Sequence, residues 1–395
     1  MALRQPSESE LRNAGSLKWT GMKTESGLAP LGAWVAEMDF GTAPPVEERL
    51  IRAVREGFLG YPPPWARDAV TDALVQFQDG YFGWVLKPGW VRMSQSVLKA
   101  LNDTIANLTA PGSAVVVPTP AYMPFLTIPQ NHGREMIPVP SHHTPNAEDP
   151  KKAWSLDLEG IESALKDGAG LVILCNPWNP TGRVLSVEEM RELNRIVNRY
   201  DALVFSDEIH SPLVFGDSAS FVSYASLGPD FAKHTVTAVA ASKAWNVAGL
   251  LAAQVILPDA DLRARWDEEV RPSQSTALGS VAAATAYAEG EPWLREVLEQ
   301  LSANLDLLGQ ALAGTAVDYS RPQATYLTWL GFDRYALDEP PAKILLNDYG
   351  VAVNDGATLG APYKKWVRVN AAMSRDLWEQ AVEKIALFAS EAPLK

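Results

Sequence analysis

The chain has 395 residues, 47% of them apolar, which is more than one hydrophobic core commonly supports and predicts two domains. Its 34 Lys and Arg stand against 47 Asp and Glu, a net charge of −13 with no dense basic cluster, which argues against nucleic-acid partners. The one cysteine, Cys175, excludes an internal disulfide and a cysteine-based metal centre; with a polar start and no apolar run of about 18 residues, the expectation is a cytoplasmic chain without a membrane partner.

Over the first 45 residues, turn formers (Gly27, Pro30, Gly32, Gly41, Pro44, Pro45) and few helical periods predict an extended arm that packs on another element, before a first helix at about 46–56. From there to about 290, apolar runs at 114–117, 171–175, 203–205, 236–239 and 252–257 alternate with helical stretches. Strands apolar on consecutive residues and separated by helices predict an α/β unit, a mainly parallel sheet sandwiched by helices. One crossover is legible throughout: a strand from Leu171 to Cys175, a capping box Ser186-Val187-Glu188-Glu189 opening a helix to about Tyr200, and a strand from Ala202 to Phe205. Beyond 290 the pattern becomes helix (292–313), strand (325–330), helix (341–349), strand (366–370) and a final helix, a smaller α+β unit. The expected division is 1–45 as arm and part of the small domain, 46–289 as the large domain and 290–395 as the C-terminal small domain. There is no internal repeat, and Pro62-Pro63-Pro64 is a stiff local feature.

In open sheets of this kind, ligands gather beyond the carboxyl ends of the strands. Asn176-Pro177-Trp178-Asn179-Pro180-Thr181-Gly182, Ser206-Asp207-Glu208-Ile209-His210 and Ala241-Ser242-Lys243 fall there. An aromatic aldehyde cofactor used as an electron sink needs an amine, a carboxylate on its ring nitrogen, a donor to its ring hydroxyl, a stacking aromatic and a phosphate cradle. Lys243, in a small-residue loop after a buried strand, is placed to be desolvated and nucleophilic, although alone it reads as a solvated lysine. Asp207 closes an apolar strand, where a carboxylate needs a cation such as a pyridinium nitrogen or else caps the next loop. His210 either faces the ring hydroxyl or fills the wall. Asn179 sits in a turn fixed by prolines and glycine, from which its amide can donate to the ring oxygen. Tyr122 is a candidate to stack on the ring or a core residue. Ser96, Val97 and Leu98, ahead of a helix, either receive the phosphate on backbone amides and hydroxyl or form a bare cap. Gly168-Ala169-Gly170 lacks the rest of a dinucleotide fingerprint. Cys175 reads as packing, since no histidine partner is evident, and no metal site is expected.

Those motifs, with Ser242-Lys243-Ala244-Trp245-Asn246-Val247-Ala248-Gly249-Leu250 and Trp34-Val35-Ala36-Glu37-Met38-Asp39-Phe40, resemble the fold type I pyridoxal-phosphate (PLP) enzymes of the aspartate aminotransferase superfamily. Within it they look like the MalY/PatB branch of cystathionine β-lyases or carbon–sulfur lyases, over nearly the whole chain from about Lys18 to Arg368. The resemblance implies a PLP transferase fold type I large domain, with Lys243 as Schiff base and proton carrier, Asp207 on the pyridinium nitrogen, Asn179 on the ring oxygen and Tyr122 stacked. It implies Ser242 and the backbone of Ser96, Val97 and Leu98 on the phosphate. Tyr61 would reach the phosphate of the neighbouring subunit, hence a homodimer with shared active sites. Arg368 would grip the substrate carboxylate as a bidentate pair, beside Trp34 and Asn179; otherwise it reads as an exposed strand residue. The implied reaction is α,β-elimination of L-cystathionine or another cysteine S-conjugate to a thiol, pyruvate and ammonia. An aminotransferase using the same residues is one alternative, and a regulatory protein that retains the PLP fold is another. The intact set of Lys243, Asp207, Asn179 and Arg368 argues against the latter. Glu37 stands where the branch usually has Asp, and Ser96 where glycine is common. Trp34, Tyr61, Trp178 and Trp245 are candidates to crowd the pocket of the Cβ substituent.

Overall fold

Consecutive apolar residues build a seven-stranded central sheet in the computed structural model, which describes residues 3–147, 149–216 and 221–395. Positions 1, 2, 148 and 217–220 of the expected domain ranges lie outside the described residues. The strands are β1 (Val91–Ser94), β2 (Val115–Thr119), β3 (Met136–Pro140), β4 (Leu171–Cys175), β5 (Leu203–Asp207), β6 (Thr235–Val239) and β7 (Ala253–Ile256), in the order β1-β7-β6-β5-β4-β2-β3. Strands β2 to β6 run parallel, and β7 is antiparallel to both β6 and β1. Leu171 and Ile173 of β4 enter one core with Val115, Val117, Phe205 and Val236, while Val172 and Leu174 enter the other with Val116 and Val204. Alternate side chains thus feed opposite layers, and each fully buried Val, Leu or Ile contributes about 1.5–3 kcal/mol.

The apolar-run reading gives no strand at β1 or β3, which are the two sheet edges. Only part of each is buried, and β3 carries Pro138 and Pro140, which an edge strand tolerates. The β4–β5 crossover forms as its sequence predicts: Ser186 Oγ accepts from Glu189 N at 3.2 Å, Glu189 Oε2 accepts from Ser186 N at 3.0 Å, and the helix spans Val187–Arg199. The helix expected at 46–56 is Pro44–Arg55, with prolines in its first turn where no amide partner is lost.

A second sheet holds β8 (Asp318–Tyr319), β9 (Leu327–Gly331), β10 (Asn354–Asp355) and β11 (Trp366–Asn370) in the antiparallel order β8-β9-β11-β10. Helix Glu291–Leu312 buries Leu294, Val297, Leu301, Leu305, Leu308 and Leu312, a stripe at helical spacing, and packs against Arg375–Glu391. The expectation of an extended arm needs correction: a helix Glu8–Ala14 opens on a Ser7/Glu10 capping box and is followed by Leu17–Thr20. The arm then pairs Leu31–Gly32 in parallel with Val351–Ala352, so it joins the C-terminal half. Among the described residues, no helix is long and apolar enough to cross a membrane.

Candidate active site

Strand register brings the motifs into one row. Cys175 of β4 pairs with Asp207 of β5, which pairs with Ala238 of β6, so the segments beyond these strands leave the sheet side by side. Asn179, His210 and Lys243 lie on those segments, and Tyr122 follows β2 on the other flank of β4. From the second sheet comes Arg368, whose Nη1 donates to Asn179 Oδ1 at 3.3 Å. Arg368 is 3% exposed, which rules out the exposed-strand alternative.

Asp207 is buried at the strand end, and its Oδ1 accepts from Ile209 N at 3.0 Å. Burial pushes its pKa up to about 7, while the Ile209 amide and Lys243 pull it down. Lys243, the cation whose field it feels, turns its Nζ instead to the Ala36 carbonyl at 3.1 Å. Burial, then the Arg368 guanidinium, lowers the Lys243 ammonium to about 8; Glu37 and Asp207 oppose the fall. An amine of that strength is free to about a tenth at pH 7, far more than an ordinary lysine, and so is better placed to act as a nucleophile or proton acceptor. His210 is buried and held neutral, its pKa lowered to about 3 by burial and by the Lys243 and Arg368 charges. Its Nδ1 has no partner, and its ring lies 6.1 Å from Tyr326, edge to face. Tyr122 is half-buried beside Phe125, and the charges of Arg368 and Asp207 both act on it.

Arg368 Nη2 donates to Trp34 O at 3.1 Å and to Asn354 Oδ1 at 2.5 Å, while Nε has no partner. Burial lowers even this guanidinium to about 10. Trp34 therefore reaches the site through its carbonyl; its indole turns away and donates to Lys18 O at 3.0 Å. Tyr326, which motif reading missed, is fully buried and donates to the same Ala36 carbonyl as Lys243, at 3.1 Å. Two asparagines hold the segment that carries these carbonyls. Asn246 bonds Met38 N, Met38 O and Gly41 O, and Asn370 Nδ2 donates to Val35 O at 2.6 Å and Glu37 O at 2.7 Å.

In the expected phosphate segment, Ser96 Oγ accepts from Lys99 N at 3.0 Å as N-cap of the helix Val97–Asp103. Val97 and Leu98 occupy the first turn, whose amides have no intrahelical acceptor. Ser242 is partly buried next to Lys243, and its carbonyl accepts from Val247 N at 3.0 Å. Tyr61 is 96% exposed and packs on no site residue of its own chain. Two of the aromatic candidates for the pocket are core residues instead. Trp178 is buried and donates to Pro120 O at 2.8 Å, and Trp245 is buried against Phe77 and Tyr287. Cys175 donates to Pro177 O, and burial pushes its thiol well above its ordinary range, so it is inert. Glu208, beside Asp207, is a tether: its Oε1 accepts from Ser206 Oγ, Ser223 Oγ and Tyr224 N at 2.8 to 3.2 Å.

Known proteins are similar to the chain over almost its whole length. A cystathionine beta-lyase of Corynebacterium glutamicum is 38% identical, the alignment covering 97% of this chain and 99% of that protein. Cystathionine beta-lyase PatB of Bacillus subtilis is 32% identical over 94% and 95% of the two chains. The PLP-bound C-S lyase from Staphylococcus hominis superposes with a TM-score of 0.87 at 25% identity, covering 96% of each chain. Residues 35–385 match the model for aminotransferase class I and II, a span that runs from the arm beside Ala36 to the last helix and includes Asn179, Asp207, Lys243 and Arg368; the chain belongs to that family.

Proposed function

We propose that the protein is a PLP-dependent carbon–sulfur β-lyase, which eliminates a thiol from L-cystathionine or a related cysteine S-conjugate and leaves pyruvate and ammonia. The observation that carries the reading is a buried carboxylate, Asp207, at the strand ends, near a lysine whose ammonium burial and Arg368 lower to about 8. The relatives named cystathionine beta-lyase supply the reaction.

The residues present fit PLP. Asp207 is a buried carboxylate raised for want of a contacting cation, the role a pyridinium nitrogen fills. Neutral His210 offers an unpartnered Nδ1, Asn179 is fixed in its turn, and Tyr122 is half-buried within reach of the Arg368 and Asp207 charges. We assign Lys243 to the aldehyde, Asp207 to the ring nitrogen, Asn179 and His210 to the ring oxygen, Tyr122 to the ring face, and Ser242, Ser96, Val97 and Leu98 to the phosphate. When bound, the cofactor supplies an electron sink for the charge left at the substrate Cα.

The remaining chemistry falls to the chain. Arg368, braced by Asn179, Trp34 O and Asn354, receives the substrate α-carboxylate and so fixes which bond at Cα faces Lys243. Lys243 Nζ takes the α-proton, and the electron pair of that C–H bond expels sulfur from Cβ as thiolate. The enamine product takes up water and yields pyruvate and ammonia. Burial around Asp207 and Arg368 keeps solvent from competing for either charge. We place the enzyme in the cytoplasm as a homodimer with shared sites. Exposed Tyr61, with Leu59 64% and Trp65 52% exposed beside it, is the surface we assign to the partner's phosphate site.

The test is direct. Purified protein given L-cystathionine should release pyruvate, and a Lys243→Ala variant should neither take up the cofactor's imine absorbance nor turn over. Full elimination by that variant would overturn the assignment. Transfer of an amino group to 2-oxoglutarate without pyruvate would make the protein an aminotransferase, and a stoichiometric protein partner without turnover would make it a regulator.

A further inference from the structure

Lys18 and Asp39 form an ion pair at 2.9 Å with side chains 1% and 2% exposed, outside the residues assigned to the reaction. Lys18 Nζ also donates to Ala372 O at 2.8 Å and Glu37 O at 3.3 Å, and Asp39 Oδ1 accepts from Trp19 Nε1 at 2.8 Å. Asp39 Oδ2 has no partner. Removing two charges from water is costly, and a pair with one oxygen unsatisfied recovers less than an apolar pair of the same volume. Stability alone therefore does not account for it.

Its position does. Between Trp34 and Asp39 the backbone presents two carbonyls to the two cations of the site: Trp34 O to Arg368 Nη2 and Ala36 O to Lys243 Nζ, both at 3.1 Å. The Lys18–Asp39 pair clamps this segment at its C-terminal end, and Lys18 O holds the Trp34 indole at its N-terminal end. Asn370 fastens it to β11 and Asn246 to the loop that carries Lys243. Ala372 ties in as well: its carbonyl accepts from Lys18 Nζ at 2.8 Å and from Asp39 N at 3.0 Å, and its amide donates to Asn370 Oδ1 at 2.7 Å.

We infer that Lys18 and Asp39 are positioning residues: their buried pair sets the Trp34–Ala36 carbonyls that aim Arg368 at the substrate carboxylate and Lys243 at Cα. The inference rests on the β-lyase reading. Single substitutions strand a buried charge, so the informative variant is Lys18→Met with Asp39→Asn, which removes both charges and keeps volume. With PLP bound, this double variant should keep the parent's melting temperature or exceed it. Its kcat/KM for L-cystathionine should fall about tenfold or more, in kcat as well as KM, because misaiming by a fraction of an ångström acts on the reacting geometry. The pH midpoint of the cofactor's visible absorbance should move, which a purely structural role would not cause. Asn246→Ala, which loosens the same segment from the other side, should move that midpoint too, and it decides the matter if the double variant does not fold. A folded double variant with parental kinetics and parental midpoint overturns the inference, as does an unmoved midpoint in Asn246→Ala when the double variant is unfolded. Failure of the parent to bind PLP or release pyruvate would instead remove the β-lyase reading itself.

Discussion

Asp207→Asn tests the electrostatic core of the site, and its effect is opposite in the presence and absence of cofactor. In the folded protein without a ligand, burial raises the Asp207 carboxyl from its ordinary 3.8 to about 7. Each pH unit corresponds to about 1.4 kcal/mol, so the ionised carboxylate destabilises the fold by about 4 kcal/mol once the pH exceeds 7. The sign follows from proton binding. Between pH 4 and 7 the folded chain holds a proton that the unfolded chain has lost, so stability falls as pH rises through that window and levels off above it. Asn carries no charge to bury. Urea unfolding of the cofactor-free protein should therefore show the variant more stable than the parent at pH 8, by up to about 4 kcal/mol, with the gap closing towards pH 4. Adding PLP should reverse the order, because Asp207 then has a cation to face, and the variant's turnover should fall by at least about a hundredfold. A variant no more stable than the parent at pH 8, or a gap that does not grow with pH, would refute the account.

Arg368→Lys keeps the charge but cannot span Asn179, Trp34 O and Asn354 together. At about 1.5–3 kcal/mol for each charge-assisted bond, kcat/KM should fall about 10- to 100-fold in steady-state assays with L-cystathionine; an unchanged value removes Arg368 from carboxylate recognition. The charge on Glu37 raises the Lys243 pKa against the pull of burial and Arg368, so Glu37→Gln should leave it below about 8. Lys243 in the cofactor-free variant should thus react with an amine-selective reagent at lower pH than the parent, measured by peptide mass spectrometry. Tyr61→Ala should weaken PLP binding about tenfold while the protein still elutes as a dimer; unaltered affinity would detach Tyr61 from the partner's phosphate site.

What could be read from the sequence follows from which residues carry local constraints. Strands β4 and β5 were visible because both faces are buried, which forces apolar residues at every position. The edges β1 and β3 lack that constraint and were missed. Asn179, Asp207 and Lys243 were legible as polar residues placed just after such strands, where no packing reason calls for them. Tyr326 carried no comparable mark, since a tyrosine inside an apolar segment reads as core; its function depends on the Ala36 carbonyl, distant in sequence and without side-chain chemistry. Trp178 and Trp245 erred in the other direction, because adjacency to a motif does not say which way an indole points.

The charges at the site also explain why Arg368 and Lys243 belong together despite repelling each other. Arg368 is the largest cause, after burial, of the low Lys243 pKa. That repulsion lowers the proton affinity of the Lys243 amine. An α-carboxylate seated on Arg368 cancels the guanidinium field, so Lys243 becomes a stronger base when the Cα proton comes within its reach. A substrate lacking the carboxylate forfeits both alignment and base strength. Its rate should therefore fall further than the loss of binding alone accounts for, which is the outcome expected of an Arg368 that, from the second sheet, tunes the proposed base without touching the proton; a fall matched by binding alone would refute it.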